Sequence, residues 1–425
     1  MRLNVNSEIG RLKSVLVHLP GREIDVMSPS MMEELLFDDI LYGQLAREEH
    51  RRFQQIMRFI VEKVYDVEDL LEEVFENADS KEIVVQDFCR RSGISKQLTE
   101  WLGEQEPAKL ADILIGGIVV DTPPTGALPH FELAPVPNLF FMRDPQVVIG
   151  DGVAISPMAT QARQRESLLS HYVFRHHPAF AGQDIFWMDH YEQDLPMRGA
   201  AGNQPPTFEG GDILVPRRDL LIIGVSERTN RAAVEYVAES LKASKAGVLT
   251  LLVVEIPSQR SFMHLDTVFT IINEGECLLY PPVMLEGGGE EAKVYSIDLT
   301  RDELSYTAQK SLLGALKQQG MDLEPISCGG QRPIDQQREQ WTDGANAFVL
   351  APGTILCYDR NVRTAAELDA HGYNIVYEDD LLLGRSELET WTDKKYAIQI
   401  QGHELSRARG GPRCMTMPLD REDVG

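Results

Sequence analysis

Five residues spread along the 425-residue chain could act together if the fold gathered them: Asp144 in "RDP", Glu209 in "FEGGD", His264 and Asp266 in "HLD", and Cys414 in "PRC". Several carboxylates favour a cation. A planar guanidinium suits them because it presents five N–H donors in a fork that carboxylates can hold from both sides. Its carbon is a poor electrophile, since the charge is delocalised, so attack requires a strong nucleophile and a protonated leaving amine. A cysteine supplies the first and a histidine the second. The same carboxylates oppose thiol ionisation in an empty site, whereas a bound cation favours it.

Each residue also has a structural reading. Asp144 precedes Pro145, and a residue before proline is pushed to extended backbone, as at the start of a turn. Glu209 before two glycines fits a solvated turn, His264 a hydrogen-bonded edge residue, and Cys414 a buried thiol in a C-terminal strand. The cysteines are five in number and widely spaced, with no C-x-x-C pair, so neither a disulfide framework nor a cysteine zinc site is indicated. A metallohydrolase built on His264, Asp266 and Glu209 has too few histidines to be attractive.

Elements that could bring these groups together are visible as patterns. "MHLDTVFTII" reads as a strand, which would point His264 and Asp266 to one face. Gly210 and Gly211 let backbone approach closely, Gly410 and Gly411 permit positive φ, and Pro412 fixes the next turn. "GRLKSVLVHLP" (10–20) alternates polar and β-branched residues and predicts a strand. Phe53, Ile56, Met57, Ile60 and Val64 then follow a helical period, as do Leu70, Leu71, Val74 and Phe75, predicting an inserted helical domain over 46–125. The proline-rich passage 121–138 closes it.

The remainder, 1–45 and 126–425, holds a loose repeat. "MRDPQVVIGDGVAIS", "FEGGDILVPRRDLLIIGV", "HLDTVFTIINEGECLLYP" and "DGANAFVLAPGTILCYDRN" each open on a polar or glycine-containing signature and continue into strand, turn and strand. Pairing the N-terminal strand with "PRCMTMPL" gives a fifth unit and a ring of ββαβ-type modules.

With 43% hydrophobic and 25% charged residues the chain can bury a large core. A net charge of −25 argues against a nucleic-acid or anionic-membrane surface. The N-terminus lacks signal-peptide features and no run reaches the length of a membrane span, which predicts a soluble cytoplasmic protein.

Over nearly its full length the chain resembles the bacterial arginine deiminases, through "SEIGRLKSVLVHLPG", "LLFDDI", "NLFFMRDP", "FEGGD", "HLDTVFT" and "RGGPRCMTMPL", in the family's order. The resemblance implies a five-bladed α/β propeller, the pentein or guanidino-group-modifying fold, with a helical insertion. It implies hydrolysis of L-arginine to L-citrulline and ammonia through a covalent S-alkylthiouronium on Cys414. His264 would be general acid and base, with Asp144, Glu209 and Asp266 on the guanidinium nitrogens, and no metal or organic cofactor is required. Asn138, Phe141, Arg163 and Arg228 look like the residues for the amino-acid end of arginine, with Arg165 an alternative to Arg163. Arg409 resembles a gating arginine. A homo-oligomer, dimer or larger, is expected. Rival readings are an agmatine or methylarginine hydrolase or amidinotransferase of the same fold, and a non-catalytic arginine-binding protein.

Overall fold

The computed structural model describes residues 1–120, 130–183, 185–191, 205–244, 246–389 and 394–424. Among these residues, five sheets repeat one arrangement: an antiparallel strand pair, extended by a third strand that runs parallel to its neighbour. Gln146–Ile149 and Gly152–Ile155 pair with Phe186–Met188 in this way. So do Ile213–Arg217 and Leu220–Val225 with Thr250–Glu255, and Phe269–Asn273 and Glu276–Leu279 with Glu324–Ser327. Phe348–Ala351 and Thr354–Tyr358 take Lys395–Ile400 as their parallel strand. In the remaining sheet the antiparallel pair is made from the two chain ends: Leu12–Val17 lies against Met417–Arg421 and parallel to Lys63–Asp66. A short two-stranded ribbon joins Ile118–Val120 to His130–Leu133.

The hairpins form because their strands are continuous apolar, largely β-branched runs such as "VAI" and "LLII", buried along nearly their whole length. A parallel neighbour needs a crossover, and the amphipathic helix Arg231–Ser244 supplies one between Leu220–Val225 and Thr250–Glu255. Because the last strand is buried against the first, Met417 and Leu419 are core residues although they lie a few positions from the chain end.

Four helices, Val67–Glu76, Ala78–Ser92, Lys96–Gly103 and Pro107–Gly116, occupy the stretch read as helical. Asp66, Asn77 and Ser95 cap the first three by accepting from Glu68, Ser80 and Leu98 backbone N–H. Their core residues, among them Leu71, Phe75 and Phe88, merge with Val153 and Ile155 of the strand Gly152–Ile155 into one apolar cluster. The helical period read from Phe53 to Val64 overruns: the helix Gly43–Met57 ends, and Val64 belongs to the strand Lys63–Asp66. Pairing with Leu12–Val17 decides the matter over the local period.

Candidate active site

The five residues that could do chemistry are brought together, and all are buried: Cys414, His264, Asp144, Glu209 and Asp266 are each at most 4% exposed. They project from turns that lead into the strand pairs. His264 and Asp266 do not share a strand face as expected. His264 precedes a single 3-10 turn, Leu265–Thr267, and the strand begins at Phe269. The turn is closed by Thr267, whose Oγ1 donates to the His264 carbonyl at 2.6 Å, and by Asp212, whose Oδ1 accepts from Leu265 N at 2.8 Å.

His264 Nε2 lies 2.8 Å from Glu209 Oε2, and its Nδ1 lies 3.8 Å from Asp144 Oδ1. A Cβ on Gly211 would stand 2.8 Å from the His264 ring, and one on Gly210 would stand 2.0 Å from the Arg143 carbonyl oxygen. Both glycines are therefore required by close approach. Gly410 and Gly411 serve the same purpose, since a Cβ on Gly410 would meet the Phe141 ring at 2.1 Å. The positive φ expected of that pair falls instead on Arg409, at 66°.

Cys414 Sγ sits 4.0 Å from Asp266 Oδ2, which also accepts from Arg413 Nη1 at 2.7 Å. Arg413 is clamped on its other side by Glu8, with Nη2 3.1 Å from Oε2. Neither Arg413 nor Glu8 stands out in the sequence, because both function only once the chain ends meet.

The arginines separate by what they touch. Arg163 donates through Nη1 to Asp144 Oδ2 at 3.1 Å and Glu209 Oε2 at 2.8 Å, and through Nη2 to Glu166 Oε2 at 2.8 Å. Most of its fork is committed to carboxylates of the protein. Arg165 donates to the Pro135 carbonyl oxygen and borders a different, larger cavity of about 800 Å³ that contains none of the five reactive groups. Asn138, Phe141, Asp144, Arg163, Arg228, His264, Arg409 and Cys414 line one cavity, together with Leu36 and Asp38. Its volume, about 30 Å³, is room for about one water molecule, so a larger guest requires a wall residue to move. Arg409 stacks on Trp341, with its guanidinium carbon 3.4 Å from the ring centroid.

Several buried polar atoms of these residues lack hydrogen-bond partners, although Glu209 Oε1 and Arg228 Nη1 stand as an ion pair at 3.8 Å. Asp144 Oδ1, Glu209 Oε1 and Asp266 Oδ1 have none among the described residues, nor do Nε and Nη1 of Arg228 and of Arg409. Burial disfavours the imidazolium of His264, but Asp144 and Glu209 outweigh it and raise the group to about 10. Burial likewise pushes Asp144 up against the opposing charges of His264 and Arg163. Glu209 goes the other way: Arg163, His264 and Arg228 overcome its burial and hold it well below the usual carboxylate range. Burial, followed by Asp266, Asp144 and Asp343, drives the Cys414 thiol well above its ordinary value.

The sequence model of the arginine deiminase family matches residues 33–104 and 125–421. Arginine deiminase from Listeria monocytogenes is 35% identical over 438 residues, spanning 99% of this chain and 98% of the relative. That from Lactococcus lactis is 36% identical over 442 residues, spanning 99% of each. The chain belongs to the arginine deiminase family. Arginine deiminases are enzymes that hydrolyse a carbon–nitrogen bond, and the buried thiol, imidazole and carboxylates supply groups for such a step. Solved structures agree on a mixed α/β fold of the pentein group. An amidinotransferase of saxitoxin biosynthesis from Microseira wollei superposes with a TM-score of 0.52 at 14% identity, covering 99% of this chain and 98% of that one. The N-terminal domain of a cyanobacterial arginine dihydrolase, with product bound, gives 0.51 at 15%, covering 97% and 99%.

Asp144, Glu209 and His264 could also surround a metal ion, one ligand atom from each lying within 4.8 Å of the others. Arg163 Nη1 already bridges two of those three side chains, so in this arginine deiminase relative a cationic group of the protein stands against them. No helix among the described residues is long and apolar enough to cross a membrane.

Proposed function

We propose that the protein hydrolyses L-arginine to L-citrulline and ammonia by covalent catalysis at Cys414. One observation carries this reading: Asp144, His264, Cys414, Arg228 and Arg409 line one buried cavity, where Asp144 Oδ1 lacks a hydrogen-bond donor and Nε and Nη1 of both arginines lack acceptors among the described residues. Unsatisfied buried polar groups are costly, and a ligand that bears a guanidinium at one end and a carboxylate at the other satisfies both sets.

Asp144, Glu209 and Asp266 hold the guanidinium. Its charge offsets the carboxylates that keep the Cys414 thiol neutral, so substrate promotes thiolate formation, with the thiol proton passing to water. Cys414 Sγ attacks the central carbon and a C–S bond forms. His264, protonated in the resting site, gives its proton to the departing nitrogen, the C–N bond breaks and ammonia leaves. The neutral imidazole then takes a proton from water as its oxygen adds to the S-alkylthiouronium. The C–S bond breaks, the hydroxyl proton of the adduct passes to sulfur, and neutral citrulline departs from the restored Cys414 thiol. Arg228 and Arg409 receive the α-carboxylate, beside Asn138 and Phe141. Arg163 sets Asp144 and Glu209, and Arg409, stacked over Trp341 on a left-handed backbone, moves to admit substrate.

The same reading takes the five sheets as blades of a propeller closed by the two chain ends, with an inserted helical unit over 46–125, whose end lies outside the described residues, and the assembly a homo-oligomer. Turnover of arginine, agmatine and an Nω-methylarginine, followed by citrulline or the corresponding urea, tests the substrate assignment. Arginine is expected to be preferred and agmatine, which lacks the carboxylate, to be poor; preference for agmatine or methylarginine moves the assignment to another guanidino-group hydrolase. Binding of arginine without ammonia release identifies a non-catalytic protein.

A further inference from the structure

Four of the five repeat openings supply a reactive group. The fourth, "DGANAFVLAPG", supplies none, yet its turn leads into the strand Phe348–Ala351 as the others lead into theirs. Asn346, two residues before that strand, is fully buried. Its Oδ1 accepts from the backbone N–H of Arg413 and of Cys414, both at 3.1 Å, and its Nδ2 donates to the Asp266 carbonyl oxygen at 3.1 Å.

We infer that Asn346 is a positioning residue for the reaction, fixing the backbone of the nucleophile relative to that of Asp266. The inference rests on Cys414 being the nucleophile. One planar amide spans the C-terminal loop and the His264–Thr267 turn, so the loop cannot slide past that turn without giving up hydrogen bonds in a dry interior. Two features of the chain are shaped around this amide. Asp343 adopts a left-handed conformation, φ 61°, in the turn that carries Asn346, and its carbonyl accepts from Asn346 N at 3.0 Å. Gly411 leaves the space: a Cβ there would lie 2.6 Å from Asn346 Oδ1 and 2.8 Å from Asn346 Cβ. Gly411 is thus the complement of Asn346.

Displacing a nucleophile by about 1 Å costs on the order of 100-fold in rate. Asn346→Ala is therefore expected to lower kcat about 100-fold while the KM for arginine stays within about threefold, because Asp144, Glu209 and Arg228 keep their places. Gly411→Ala, which pushes the amide away without removing it, is expected to lower kcat in the same sense. Asn346→Asp keeps both accepted bonds but loses the donor to the Asp266 carbonyl oxygen and sets a carboxylate beside the thiol, so its kcat is expected to fall with KM little changed. Thermal unfolding accompanies the kinetics, and all rates are read at a temperature where each variant is folded. A lowered melting temperature with unchanged kcat in Asn346→Ala assigns the amide to stability alone and overturns the inference. If that variant does not fold, Gly411→Ala and Asn346→Asp decide: wild-type kcat in Gly411→Ala, or an equal loss of kcat and rise of KM in both, overturns it. Cys414→Ala in the same series tests the underlying reading by itself, since activity in that variant removes the nucleophile whatever Asn346 does.

Discussion

Among the described residues, His18 and His264 are both buried and each faces two carboxylates, but their surroundings differ. His264 lies between Glu209 and Asp144. His18 lies between Asp66, at 3.1 Å, and Glu23, at 3.4 Å. In both places burial opposes the imidazolium and the carboxylates prevail, raising the histidine. The difference lies in what the carboxylate oxygens do. Around His18 they are occupied by backbone: Asp66 accepts from Leu19 N at 2.7 Å and from Glu68 N at 3.0 Å, where it starts the first inserted helix, and Glu23 accepts from Gly21 N. Around His264, Asp144 Oδ1 and Glu209 Oε1 have no hydrogen-bond donor among the described residues, and Asp144, His264 and the Cys414 thiol line a cavity. A buried histidine with two acids is thus a brace or a catalyst according to whether its acceptors are already satisfied.

Removing the reactive groups on the open side gives the largest effects. Cys414→Ala is expected to reduce citrulline formation at least about 1,000-fold, and His264→Ala to reduce kcat by about 100- to 10,000-fold, both with an unchanged far-ultraviolet circular dichroism spectrum. The brace behaves in the opposite way. His18→Ala leaves Glu23 and Asp66 without their cation and is expected to cost about 3 kcal/mol in denaturant unfolding, with kcat unchanged in the folded fraction. Loss of activity in folded His18→Ala would erase the distinction between the two sites. Arg228→Ala deprives the substrate carboxylate of a charged donor and is expected to raise the KM for arginine about 10- to 100-fold.

Smaller effects sharpen the contrast. A histidine raised on folding contributes stability that is complete below its unfolded value of 6.5 and fades as pH climbs toward its folded value, about 10 for His264. The melting temperature of wild type should therefore fall between those limits, and His18→Ala, lacking one of the two contributors, should fall less steeply. Finally, a bound, unreactive guanidinium analogue is expected to increase the thiolate absorbance of wild type and not of Cys414→Ala.

Much of this was legible in the sequence, for reasons that differ by residue. The reactive groups sit in short motifs with their own turn chemistry, so "FEGGD" and "HLD" could be found without a fold. The strand pairs are near-continuous apolar runs and identify themselves. What the sequence hid depends on distance. Val64 carries a helical period but pairs as a strand because Leu12–Val17 lies beside it. Arg413 and Glu8, far apart in the sequence, meet only once Leu12–Val17 pairs with Met417–Arg421. The resemblance places Arg163 at the amino-acid end of the substrate, and in this structure Glu166, three residues on in "QARQRES", shares its fork with Asp144 and Glu209. That spacing is the signal that could have shown Arg163 to be engaged. Asn346 gave no signal of its own apart from its place at the opening of a repeat.

The central claim, that Cys414 forms a bond to the guanidinium carbon, is tested most directly by mass. Wild-type enzyme turning over arginine is quenched in acid within milliseconds and digested, and the peptide containing Cys414 is weighed. The account predicts an added mass equal to arginine less ammonia on that peptide, appearing before steady state and absent from Cys414→Ala. An unmodified Cys414 in enzyme that is forming citrulline, together with full turnover by Cys414→Ala, would contradict it.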